Sequence, residues 1–291
     1  MTDSLATTGT DTIVQTGGTD TLTVTNSNQM QGATDFFDGG DNIDTIVVGA
    51  VGVGTDIVMG LMTDPTHGFH NYEAITFKNT SGTTNAVLAA FQFGTGLISD
   101  SLVVTGVNGS IQHLVVANAS TFSAASWTFQ NWDSVSDQDA IAIIGTAGAD
   151  VLTGSIKTDA ISGDAGADTL RGGLGRDSLT GGADDDTFDF NLKSESPRGA
   201  NRDVIVDFSG VAGDLDQIDL AGIDAKKGGA DNVFKYIGAQ KFHHRPGELQ
   251  VKYNATTDIA IVSGDINGDG KADFQIEVHS LDPLVKADFI L

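Results

Sequence analysis

Five aspartates recur at intervals of nine residues: Asp150, Asp159, Asp168, Asp177 and Asp186. They hold the sixth place of five consecutive nonapeptides that run from Gly145: GTAGADVLT, GSIKTDAIS, GDAGADTLR, GGLGRDSLT and GGADDDTFD. Place 1 is always Gly, and place 8 is always apolar: Leu152, Ile161, Leu170, Leu179 and Phe188. A carboxylate is a hard oxygen donor, suited to a cation such as Ca2+. Glycines at places 1, 2 and 4 permit positive φ, so the chain can turn sharply and aim carbonyls at one point. The last three residues of each unit read as a short strand whose place-8 side chain points inward. A fixed period of this kind predicts stacked, repeating structure.

The series resembles the GGxGxDxUx repeat of RTX (hemolysin-type) calcium-binding proteins. That resemblance implies a parallel β-roll in which two repeats make one turn, so equivalent edges recur every 18 residues or so. Asp150, Asp168 and Asp186 would line one edge, and Asp159 and Asp177 the other. About three Ca2+ ions would bridge successive turns, joining Asp150 to Asp168, Asp168 to Asp186, and Asp159 to Asp177. The implied metal-site residues are Gly145, Gly148, Asp150, Asp159, Gly163, Asp164, Gly166, Asp168, Gly172, Gly173, Gly175, Asp177, Gly181, Gly182, Asp184 and Asp186. The second repeat departs from the pattern, with Lys157 where place 4 wants Gly. A strained backbone or a poor local site is expected there, and the Asp159/Asp177 site should be the weakest. Asp184 fills place 4 of the fifth repeat and tolerates the left-handed region better than most residues.

After Phe190 the period breaks. NLKSESPRGANRD (191–203) reads as a polar connector. Beyond it, DVIVDFSGVAGDLDQIDLAGIDA (203–225), FKYIGAQKFHHRPGELQVKY (234–253) and DIAIVSGDINGDGKADFQIEV (258–278) alternate apolar and polar residues. Gly, Asn and Asp stand at their breaks, which predicts antiparallel strands and hairpins. In this order the segments resemble the C-terminal domain of serralysin-type (M10) metalloproteases. That resemblance implies an uncleaved type I secretion signal, with Asp288, Phe289, Ile290 and Leu291 as its terminal element. It therefore implies the type I secretion machinery as partner and an extracellular destination.

One loop in this region could hold a cation of its own. Asp265, Asn267, Asp269 and Asp273 place side-chain oxygens at positions 1, 3, 5 and 9 of an EF-hand-like loop, with the carbonyl of Lys271 at position 7. The Glu expected at position 12 is replaced by Ile276, and Glu277 comes one residue late. The loop is either a strand-flanked calcium loop or a polar hairpin turn.

The elements before the roll read as more of the same, in decayed form. GTDTIV (9–14) and GTDTLT (18–23) lie nine residues apart, and GGDNIDTIVV (39–48) places Asp44 before an apolar Ile46. Strands are expected at 55–60, 73–79, 85–91, 100–106, 112–119, 127–132 and 139–145. They suit an irregular parallel β-helix, with a separate β-sandwich as the alternative. TDPTHGFHNYEA (63–74) gathers Asp64, His67, His70, Tyr72 and Glu73. These could bind a metal or carry out acid–base chemistry, though a polar loop between strands is the commoner use. His243 and His244 read as hairpin surface, and Trp127 and Trp132 as core or end-capping residues rather than sugar platforms.

Composition narrows the function. The 291 residues carry a formal charge of −24. That excludes nucleic acid and anionic membranes as partners, since both need basic patches. No cysteine is present, and no apolar stretch approaches the ~20 residues of a membrane span. The N-terminus lacks the basic and apolar regions of a Sec-type leader, and the first basic residue is Lys78. HExxH and GxSxG do not occur, which removes metalloprotease and ordinary lipase chemistry.

The sequence therefore predicts an all-β protein: a parallel β-roll or β-helix solenoid with a β-rich C-terminal capping domain. Residues 1–140 would form the irregular region, 141–190 the roll and 191–291 the serralysin-like domain. The expected function is a secreted, non-catalytic calcium-binding protein, with extracellular polysaccharide or a cell surface as possible partner. The alternatives are a secreted β-helix enzyme acting on acidic polysaccharide, and a serralysin relative without proteolytic activity.

Overall fold

The computed structural model describes residues 3–5, 12–14, 19, 21–24, 36–38, 43–48, 56–58, 68–78, 83–93, 98–133, 139–211, 214–226 and 232–291. For 3–5, 12–14, 36–38, 56–58, 68–70 and 211 it gives the backbone alone. Apart from two single 3-10 turns, all regular structure among these residues is β. The chain forms two compact units, 1–143 and 144–291.

In the first unit the strands pair in parallel. One sheet runs Asp3–Leu5, Thr21–Val24, Thr45–Val48, Tyr72–Phe77, Ile98–Thr105 and Thr128–Gln130. A second includes Asp56–Val58, Thr83–Ala89 and Ile111–Ala117, followed by Ala140–Ile144. A third joins Thr12–Val14, Phe36–Asp38 and Gly68–His70. All seven strands expected here form, within about two residues of their expected limits. The parallel pairing is that of an irregular β-helix and not of a sandwich. The nine-residue step from Ile13 to Leu22 changes sheet, and Leu22 then pairs with Ser4 and Ile46.

In the second unit two parallel columns carry the repeats. Val151–Thr153, Thr169–Arg171 and Thr187–Asp189 stack in register and align Leu152, Leu170 and Phe188. Asp159–Ala165 and Ser178–Ala183 form the facing column and align Ile161 with Leu179. These place-8 side chains are at most 1% exposed. A fully buried aliphatic or aromatic side chain contributes roughly 2–3 kcal/mol, so the ladder is the core of the roll.

The roll does not stop at Phe190. Gln217–Asp219 and then Phe289–Ile290 continue the first column in parallel, and Val204–Ile205 and then Phe274–His279 continue the second. The antiparallel expectation for 203–225 therefore holds only for the small pair Gly210–Val211 and Asp214–Leu215 and is corrected for Val204–Ile205 and Gln217–Asp219; it is corrected also for Lys235–Gly238, which pairs with Glu248–Asn254 in parallel. Strands of two or three residues carry no pairing signal of their own and adopt the register of the rung beneath them. The larger antiparallel part is formed by Glu248–Asn254, Ile259–Asp265 and Phe274–His279. The connector 191–203 is also more than a polar link. Glu195 is buried, pairs with Arg171, and accepts the N–H groups of Asn191 at 2.7 Å and Leu192 at 3.2 Å.

Candidate metal centre

The repeat aspartates are brought together as two columns, spaced as the 18-residue turn requires. Asp150 N–H donates to Oδ1 of Asp168 at 2.8 Å, and Asp168 N–H to Oδ1 of Asp186 at 2.9 Å. On the other edge Asp159 N–H donates to Oδ1 of Asp177 at 2.9 Å. All five residues are about 1% exposed, so the carboxylates lie within the turns rather than on the surface.

Each column reaches beyond the repeats. Asp177 N–H donates to Asp203 Oδ1 at 2.8 Å, and Asp186 N–H to Asp216 Oδ1 at 3.0 Å. Asp207 accepts the N–H groups of Gly181 and Gly182 at 2.9 and 3.0 Å. The sequence reading missed these three residues. A signal for two of them was present: Asp203-Val-Ile205 and Asp216-Gln-Ile218 repeat the spacing of Asp150-Val-Leu152. The first unit uses the same device, since Asp139 Oδ1 accepts the N–H of Gln112 at 2.8 Å.

The glycines serve two purposes. Gly166, Gly173, Gly175 and Gly182, at places 2 and 4, have positive φ, as do Asp164 and Asp184. Place 1 does not, which corrects the expectation that its glycine is needed for φ. There the need is close approach: a Cβ on Gly163 would lie 2.0 Å from Asp168 Oδ2 and 2.6 Å from the carbonyl oxygen of Gly181. Gly145, Gly154, Gly172 and Gly181 are crowded in the same way. Lys157 and Gly148 have no positive φ. The expected strain at Lys157 is therefore absent, because the second repeat turns by a different route.

Hydrogen bonding leaves a remainder. Oδ2 of Asp168, Asp177, Asp186 and Asp203 is buried and meets no donor. Burial, reinforced by neighbouring carboxylates, pushes Asp168 up to about 6 and Asp186 to about 7. Burial likewise raises Asp159, Asp177 and Asp203. Such a row favours protons or a cation over bare charge. No three Asp, Glu or His side chains converge among the described residues, so a cation would take much of its shell from backbone carbonyls. These are close at hand: a Cβ on Gly173 would lie 2.3 Å from the carbonyl oxygen of Ser155, and one on Gly182 1.8 Å from that of Asp164. Hard carboxylate and carbonyl oxygens are the donor set of Ca2+. These residues would hold the ion, and it would supply charge neutralisation and cross-turn linkage.

The 265–273 loop closes on itself. Asp265 accepts the N–H groups of Gly268 and Gly270 at 2.7 and 2.9 Å, and Asp273 those of Ile266 and Asn267 at 2.8 and 3.1 Å. Asn267 accepts from Asp269 and Asp269 from Lys271. Glu277 takes no part, being paired with Arg202 and His279.

Of the 63–74 candidates, the side chains of Tyr72 and Glu73 are described. Tyr72 is fully buried, and Glu73 accepts the N–H of Asp44 at 2.8 Å. Asp64 and His67, and the side chain of His70, lie outside the described residues. His243 pairs with Glu248 at 2.9 Å. Trp127 and Trp132 are buried against Phe93, Phe122, Phe77 and Phe129.

No curated protein matches the chain. Among solved structures, the solution structure of the AlgE6R3 subunit from the Azotobacter vinelandii mannuronan C5-epimerase is similar over 52% of this chain and 77% of that one, at 24% identity and a TM-score of 0.36. The model of the family described as peptidase M10 serralysin C terminal matches residues 143–291, and this chain belongs to that family.

Proposed function

We propose that this is a secreted calcium-binding protein of the RTX type, exported by type I machinery, whose roll folds on Ca2+ outside the cell. Its role there is non-catalytic, at a surface or in a matrix. The observation that carries this reading is the set of buried carboxylate oxygens on Asp168, Asp177, Asp186 and Asp203 that no protein donor meets. An unpaired buried anion costs several kcal/mol, and a divalent cation between two of them removes that cost. The net charge of −24 acts in the same direction, since it opposes compaction until cations bind. Catalysis on acidic polysaccharide draws no support from Tyr72, which is in the core.

The test is a Ca2+ titration of the full chain, followed by far-UV circular dichroism and by limited proteolysis with mass spectrometry. Below micromolar Ca2+, residues 144–291 are expected to be cleaved and poor in β signal. At millimolar Ca2+ they are expected to be protected. A spectrum and cleavage pattern indifferent to EDTA would remove the calcium reading.

A further inference from the structure

The turns of the roll are not chemically uniform. Place 2 of the first two repeats holds a hydroxyl residue, Thr146 or Ser155. Neither has a positive φ. Thr146 N–H donates to Asp150 Oδ2 at 2.6 Å, and its hydroxyl to Oδ1 at 2.9 Å. Ser155 N–H donates to Asp159 Oδ2 at 2.5 Å, and its hydroxyl to Oδ1 at 3.2 Å. The same hydroxyls accept the N–H two residues on, from Gly148 at 3.2 Å and Lys157 at 3.0 Å. Each turn is closed by its own atoms, and both carboxylate oxygens have a donor.

The later repeats differ. Place 2 is now Asp164, Gly173 or Gly182, with φ of 84°, 94° and 113°. In these repeats no place-2 N–H reaches Oδ2 of the place-6 carboxylate, and the hydroxyl is gone. Oδ2 of Asp168, Asp177 and Asp186 is then left buried without a partner. Asp203, fully buried on the Asp159/Asp177 edge, is in the same condition. The four stranded oxygens fall into two pairs, each on adjacent rungs of one edge: Asp168 with Asp186, and Asp177 with Asp203. Two carboxylates balance one divalent cation.

We propose that Thr146 and Ser155 take the place of the cation in the first two turns, so that the roll binds Ca2+ only between Asp168 and Asp186 and between Asp177 and Asp203. This rests on the calcium reading above but changes its map. The Asp150/Asp168 and Asp159/Asp177 bridges are absent, and a ligand outside the nonapeptides, Asp203, is added. The first turn of the roll is a metal-free template on which the metal-dependent turns are laid.

Native mass spectrometry of the full chain with Ca2+ counts the ions held, and single variants place them by difference. Asp150→Asn and Asp159→Asn are expected to keep the wild-type count. Asp168→Asn and Asp203→Asn are each expected to hold one ion fewer. The double variant Thr146→Gly/Ser155→Gly, which opens both hydroxyl-closed turns, is expected to gain at least one, a change that unfolding cannot imitate. A lower count in Asp150→Asn or Asp159→Asn, an unchanged count in Asp203→Asn, or no gain in the double variant overturns the proposal. A wild-type chain that holds no Ca2+ overturns the calcium reading as well. Where circular dichroism shows that a variant has not folded, anomalous diffraction from wild-type crystals grown with Ca2+ decides. Peaks beside Asp168/Asp186 and Asp177/Asp203 support the map, and a peak between Asp150 and Asp168 or between Asp159 and Asp177 overturns it.

Discussion

At the scale of the residue, the roll depends on atoms that are missing as much as on atoms that are present. Gly163 has no room for a methyl group between Asp168 and Gly181. Gly163→Ala should therefore force two turns apart and cost about 3 kcal/mol, the upper end of overpacking in a close-packed interior. Gly199 offers the control. Its φ is +92°, but no atom lies within 4 Å of where a Cβ would stand. Gly199→Ala should cost only the conformational penalty of about 1–2 kcal/mol. Thermal melts of both variants at saturating Ca2+ check the ranking, and equal losses would mean that crowding at place 1 is unimportant. Ion occupancy adds to this local geometry: each site filled to 100 times its Kd stabilises the native state by roughly 2.7 kcal/mol.

At the scale of the element, the connector and the last long strand are tied by one carboxylate. Glu277, on Phe274–His279, accepts from Arg202 at 2.5 and 3.1 Å and lies 3.1 Å from His279. Burial pushes its carboxyl up, but these hydrogen bonds and charges outweigh burial and hold it below the usual 4.5. A carboxyl with a lowered folded pKa contributes stability that is present above the unfolded value and is lost as pH falls through the folded one. The Glu277 contribution should therefore be intact at pH 6 and fade below about pH 4.5. Melts of Glu277→Gln against wild type between pH 3 and 7 should differ most at the upper end and converge at the lower. A constant gap would exclude ionisation as the cause.

These elements also show what could be read in advance. The columns of Leu152, Leu170 and Phe188 were legible because a nine-residue period places like residues on like rungs. The parallel pairing of Val204–Ile205 and Gln217–Asp219 was not, because strands this short take their direction from the existing edge. The stranded oxygens were half legible. The Asp-x-apolar triplets at 203 and 216 were in plain view, whereas the difference between Thr146 and Gly173 at place 2 becomes meaningful only when the partners of the Asp150 and Asp177 carboxylates are known. Tyr72 looked chemical beside two histidines, yet it occupies an inward place on its strand.

At the scale of the whole molecule, segments distant in sequence complete the second unit. Phe274–His279 returns to Val204–Ile205, and Phe289–Ile290 to Gln217–Asp219. The tail is secured further where Leu220 N–H donates to the carbonyl of Ile290 at 2.9 Å and where Tyr236 stacks near Phe289. Covalent continuity through the intervening excursion should therefore be dispensable once the rungs are in place. Every residue of the hairpin turn 254–258 is exposed, so a break there should leave two fragments zipped together by the Ile259–Asp265 strand and the two returning rungs. Fragments 1–255 and 256–291, co-expressed and held in Ca2+, should co-elute, while independent elution would show that the rungs need the chain behind them. If they hold, the C-terminal fragment behaves as the detachable half of a two-part reporter, joining its partner only where the ion is plentiful.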